Sequence, residues 1–129
     1  MSDIFLLFSH KLTPEQERDL RENWKVENMF TLPDHLQKLW SKIPPDLPNL
    51  SPHLEPIKSW LKEKGQKGDL VLIQADFGAV YLMVNYAFEL GLIPIYATTE
   101  RAAREKVSSE GEVIINRVFR HKIFRVYGR

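Results

Sequence analysis

The pair His10-Lys11 sets an acid–base side chain beside a fixed positive charge, just ahead of a helix start at Thr13-Pro14. An imidazole moves protons near neutral pH, and a lysine beside free helix amides favours an anion. The blander reading is a surface histidine that closes a loop. Ser9 completes this polar segment as a positioning hydroxyl. Further on, Thr98, Thr99 and Arg101 bring two hydroxyls together with a guanidinium that can hold two phosphate oxygens at once. The alternative there is a Thr99 helix cap with Arg101 facing solvent. Gln74 can read a nucleobase edge, or simply end a strand. In Asp76-Phe77-Gly78, Asp76 can orient a base or a hydroxyl, although an Asp ahead of an apolar helix is more often its N-cap. Phe77 belongs to the same candidate ligand surface. Gly78 admits a ligand at close range, and a tight turn explains it equally well.

Absent motifs narrow the chemistry. The sequence has no Walker loop, no GxGxxG and no cysteine. Histidines 10, 35, 53 and 121 lack metal-ligand spacing, and no closely spaced acidic pair suggests a two-metal nuclease. Asp76-Phe77-Gly78 is not a kinase motif, because the glycine-rich loop, strand lysine and catalytic loop are missing. Phosphate chemistry in this chain is expected to need neither metal nor cofactor.

The elements that must position these residues alternate. Ile4–Phe8 is a continuous apolar run, as a strand buried on both faces reads. Thr13, Pro14 and Gln16 form a capping-box helix start, with Leu20 and Trp24 turned inward. Val26–Leu32 reads as a weaker strand. Pro33 opens a helix with Leu36, Leu39, Trp40 and Ile43 at helical spacing, and Pro44-Pro45 breaks it. A further helix is expected from near Glu55 to Lys64, with Pro56 in its first turn. Leu70–Ile73 is the third strand, Ala79–Leu90 a strongly apolar and deeply buried helix, and Ile93–Ala97 the fourth strand. Pro94 marks that strand as near an edge or partly unpaired. Residues 102–111 read as a short helix or loop. Val113–Phe119 and Ile123–Tyr127 read as a terminal strand pair turning near His121.

This alternation predicts a single α/β domain over residues 1–129, a Rossmann-like three-layer sandwich with a mainly parallel sheet in the order 2-1-3-4 and the terminal strand pair added at an edge. Ligands of such sheets lie beyond the strand C-termini, where successive connections part. The loops concerned are Ser9–Lys11 and Gln74–Gly78, with Thr98–Arg101 alongside. The formal net charge is +1, but Arg117, Arg120, Lys122, Arg125 and Arg129 crowd the tail against one acid. A basic face on a nearly neutral protein suits a compact anion better than a long nucleic acid; a solvated strand face explains it equally well. No apolar run approaches a membrane span, and no signal peptide is visible, so the cytoplasm is the expected compartment.

Three segments carry a resemblance: the opening Ile4–Thr13, the stretch Asp69–Gly78 with its helix, and Gly91–Thr99. Together they resemble a family of small CRISPR-associated accessory proteins of type III systems. That resemblance implies a Rossmann-like fold related to domains that bind cyclic oligoadenylates. It also implies ring-nuclease activity, usually on cyclic tetra-adenylate, which switches the antiviral response off. In that setting the ring's own 2′-hydroxyl attacks the adjacent phosphorus, and the products end in a 2′,3′-cyclic phosphate. His10 is then expected to transfer protons, and Lys11 and Arg101 to stabilise charge. Ser9, Thr98 and Thr99 would position the ring. A non-catalytic binder of the same messenger, or a structural protein using its basic tail, are the alternatives. A ring with rotational symmetry further suggests a homodimer, with the terminal strands and Trp40 or Trp60 as contacts.

Overall fold

The computed structural model describes the backbone of all 129 residues and the side chains of residues 1–101, 107–113 and 119–129. Nine elements follow one another: β1 (Ser2–Phe8), α1 (Pro14–Asn23), β2 (Val26–Thr31), α2 (Asp34–Ser41), α3 (Ser51–Lys64), β3 (Leu70–Gln74), α4 (Phe77–Glu89), β4 (Ile93–Val107) and β5 (Val113–Val126). The strands form one mixed sheet in the order β2-β1-β3-β4-β5. The first four run parallel, and β5 lies antiparallel to β4.

Successive strand residues point to opposite faces, so β1 and β3 feed two cores. Ile4, Leu6, Leu70 and Leu72 pack with Leu20 of α1 and with Phe124 on one face. Phe5, Leu7, Val71 and Ile73 pack under α2, α3 and α4 on the other. Continuous apolar runs are what a strand covered on both faces requires. α1 is placed by its capping box: the Gln16 amide donates to Thr13 Oγ1 at 3.2 Å, and the Thr13 amide donates to Gln16 Oε1 at 2.9 Å.

Several expectations are corrected. α3 begins at Ser51, a turn earlier than the proline pattern suggested, and Pro56 lies inside it. Its missing amide forgoes one intrahelical bond there. β4 does lie near an edge, with β5 alone outside it, and it is partly unpaired as Pro94 implied. Ile93 donates to Asp69 on the β3 side, so the missing donor of Pro94 faces β5 beyond the last strand pair, Ile95 with Val126. Residues 102–111 are neither helix nor loop as a whole: β4 continues through them to Val107. There is no turn at His121 either, since β5 is one strand and the chain reverses at 108–112. Residues 102–107, two alanines followed by three charged residues and a valine, show no strand alternation, and this hid the outer part of β4.

β3 pairs with β4 only from Ile93 to Ile95, whereas β5 pairs with β4 from Ile95 to Val107. The outer parts of β4 and β5 therefore form an arm that leaves the sheet at the C-terminal end of the parallel strands. At its base, β4 advances two residues from Ala97 to Thr99 while β5 advances three from Phe124 to His121. This is a β-bulge on β5, a device that bends and twists a strand.

Candidate functional site at the strand ends

Phe8 pairs with Gln74 in the parallel β1–β3 ladder, so the loops after both strands leave the same end of the sheet. The main cavity at that end, about 630 Å³, opens on the β2 side of β1. Its floor is Leu6, Phe8, Met29 and Leu32. Its polar rim is Ser9, His10, Lys11, Glu17, Asp34 and Gln37. Gln37 joins two of its walls, since its amide donates 2.9 Å to the Phe8 carbonyl at the end of β1. The His10 ring stands edge-on to Phe8, with centroids 5.6 Å apart.

Ser9, His10 and Lys11 thus share one cavity, while the other candidates stand elsewhere. Gln74 Oε1 accepts from the Ala97 amide at 2.7 Å, so its side chain extends the β3–β4 ladder past the last backbone pair. Asp76 caps α4 by accepting from the Ala79 amide at 3.0 Å. Gly78 has ordinary backbone angles, and a Cβ there would meet Leu50 at 3.3 Å, so close packing under α3 is what its size serves. Phe77, the first residue of α4, is 95 % exposed.

Thr98 and Arg101 belong to the arm rather than to an exit loop. The Thr98 hydroxyl donates to the Ile123 carbonyl and accepts from the Ile123 amide, both at 3.1 Å, and so closes the bulge. Thr99 pairs with His121 across the ribbon and is exposed. The Arg101 guanidinium lies 5.2 Å from the centroid of the Phe119 ring. Ile95, Ala97, Thr99 and Arg101 alternate onto the α1 face, so Arg101 stands beyond the sheet on the side of α1. The side chain of Arg117, part of the basic tail, lies outside the described residues.

The charge at the cavity differs from what His10-Lys11 alone implied. The start of α1 is not an open anion site, because its capping box consumes the Thr13 and Gln16 amides and Glu15 and Glu17 already face the dipole. Glu17 and Asp34 bring two carboxylates to the rim against the single cation Lys11. Sequence reading missed Glu17, Met29, Thr31, Asp34 and Gln37. The available signal was the end of the second strand, where Thr31 closes the edge strand β2 and Asp34 opens α2. Among the described residues no cluster of three potential metal ligands occurs.

Strand-end loops around a cavity between β1 and β2, with an arm leaving the β4–β5 edge at the same end, define the fold as an α/β domain with a mixed five-stranded sheet. A model described as the Uncharacterized protein MJ1673 family matches residues 2–125, and the chain belongs to that family. Uncharacterized protein MJ1673 of Methanocaldococcus jannaschii is 50% identical over 127 residues, covering 98% of each chain. No solved structure matches the chain.

Proposed function

We propose that the protein is a Rossmann-like ring nuclease that opens a cyclic oligoadenylate, cyclic tetra-adenylate being the first candidate, without a metal ion or cofactor. The observation that carries this reading is the placing of Ser9, His10 and Lys11 on one cavity at the strand ends, in segments that resemble small type III CRISPR accessory proteins. The reaction asks little of the protein. The ring's 2′-hydroxyl attacks the neighbouring phosphorus and the 5′-oxygen leaves, giving a linear product with a 2′,3′-cyclic phosphate. The protein holds the in-line geometry, moves a proton through His10 and offsets phosphorane charge with Lys11. Arg101, on the arm at the same end of the sheet, is the second cation for the ring's outer phosphates. A ring of repeating units is matched by two copies of one site, so the working form is a homodimer in the cytoplasm.

The test is incubation of catalytic amounts of protein with a panel of cyclic oligonucleotides, with products separated by chromatography, with and without a chelator. Several turnovers giving a cyclic-phosphate end, unaffected by chelator, are expected. His10→Ala should slow single-turnover cleavage roughly 10²–10⁴-fold, the usual worth of a positioned acid or base. Its binding should weaken by only about 1 kcal/mol, the worth of one hydrogen bond. Stoichiometric protection of the ring would make the protein a sink for the messenger. Absence of both binding and cleavage across the panel would sink the reading.

A further inference from the structure

The cavity carries more acid than base, and a polyanion will not set its phosphates against two carboxylates. Lys11 is its one full cation, whereas Glu17 and Asp34 are anionic, and the Thr13 and Gln16 amides are already bonded within the α1 capping box. What does suit this chemistry is the part of a nucleotide that donates hydrogen bonds. Asp34 is the best placed acceptor. It is the first residue of α2, three positions beyond the end of β2 at Thr31. It makes no cap, and its carboxylate has no ion-pair partner among the described residues. In parallel α/β nucleotide sites, an acid just past the second strand accepts from ribose hydroxyls. Beneath it, Leu6, Phe8, Met29 and Leu32 offer an apolar floor on which a base can lie.

We infer that the cavity between the ends of β1 and β2 is a nucleoside pocket, in which Asp34 accepts from a ribose hydroxyl and the phosphates lead outward toward Lys11 and the arm. This rests on the proposed cyclic oligoadenylate reading and assigns the part of the ring that enters the cavity. Asp34 is then the residue that distinguishes a ribose from a deoxyribose ring.

The experiment is equilibrium binding of cyclic tetra-adenylate and its 2′-deoxy counterpart to the wild type, Asp34→Asn and Glu17→Gln, with ring cleavage followed in parallel. Wild type should prefer the ribose ring about 10- to 100-fold, as expected for a hydrogen bond to a charged group. Asp34→Asn should lose most of that preference while holding the deoxy ring as before. Glu17→Gln, on the opposite wall, should change affinity for both rings alike. An Asp34→Asn protein that keeps the ribose preference, or that binds both rings more tightly, would overturn the assignment; in the second case the carboxylate merely repels phosphate. Equal binding of both rings by wild type would remove Asp34's role but leave the ligand class standing. Failure of wild type to bind either ring would remove the ligand class and the pocket assignment with it.

Discussion

At the residue scale, polar side chains near the strand ends divide into those that hold the fold and those left free to meet a ligand. Gln74, Asp76 and Thr98 each bond to backbone groups where a ladder, a helix or a bulge would otherwise leave them open. His10 and Lys11 have no such task among the described residues. Residue type alone does not separate these groups, because the same amide or hydroxyl serves either purpose; only the Asp76 cap was legible, from its place before an apolar helix. Tyr127 shows the first kind of role. Its hydroxyl donates to the Ile73 carbonyl, and burial, followed by the neighbouring Tyr96, raises its pKa. The fold therefore holds this proton more tightly than the unfolded chain does. Stability should be full below about pH 10, where free tyrosine titrates, and should fall as pH rises through the higher folded value. Denaturant titrations between pH 8 and about 11 check this. Tyr127→Phe should be less stable by about 1 kcal/mol at neutral pH and show a shallower alkaline loss. An unchanged alkaline slope would assign that loss to other groups.

At the element scale, one polar contact among the described residues ties the arm to α1. His121 Nε2 and Asp19 Oδ2 of α1 lie 2.7 Å apart, their side chains only 5 % and 12 % exposed. Asp19 is itself oriented by a 2.7 Å hydrogen bond from Asn23, and the His121 ring lies 4.7 Å from that of Phe124. The other ring nitrogen of His121 is buried without a partner. Asp19→Ala would leave the imidazole with no partner among these groups, and a loss of about 1–3 kcal/mol is expected. Hydrogen exchange should localise the change, with amides of 98–101 and 119–123 losing protection before those of β1 and β3. Equal loss throughout the sheet would mean that the contact supports the core rather than the arm. The central strands and α1 were legible because burial on two faces and a capping box leave local patterns. The ribbon was not, since its pairing is set by the partner strand.

At the scale of the whole molecule, α4 has a face with no partner among the described residues. Phe77, Tyr81 and Phe88 are 95 %, 69 % and 50 % exposed, and they recur at helical spacing. The apolar composition of α4 suggested deep burial, but Ala79, Met83 and Ala87 alone are fully inside. Periodicity does not distinguish a helix covered all round from one awaiting a second molecule. Trp40, one of the two tryptophans expected at a dimer contact, is 1 % exposed and unavailable. The α4 stripe carries no charge until Glu89, so it can meet its own copy without repulsion. Three exposed aromatics supply roughly half of the ~800 Å² per partner that a stable interface buries. Light scattering should give a dimer mass, and Tyr81→Glu should shift it to the monomer while leaving far-ultraviolet circular dichroism intact. A monomeric wild type would show that α4 faces solvent or another partner.

The arm also bears on the order in which the molecule can be made. Its strands are joined by residues 108–112, so little chain must be closed before they pair, and such hairpins form within roughly microseconds. β1 has to wait for β3, as contacts such as that of Ser2 with Gly68 span 66 residues. Pairing over that separation is slow. The crevice needs β1, β2 and the starts of α1 and α2 in place together, all within residues 6–37, so its walls span more chain than the hairpin and less than the β1–β3 pair. A chain caught partway through folding can carry the ribbon transiently, but it has no pocket to offer until β1 and β2 have paired.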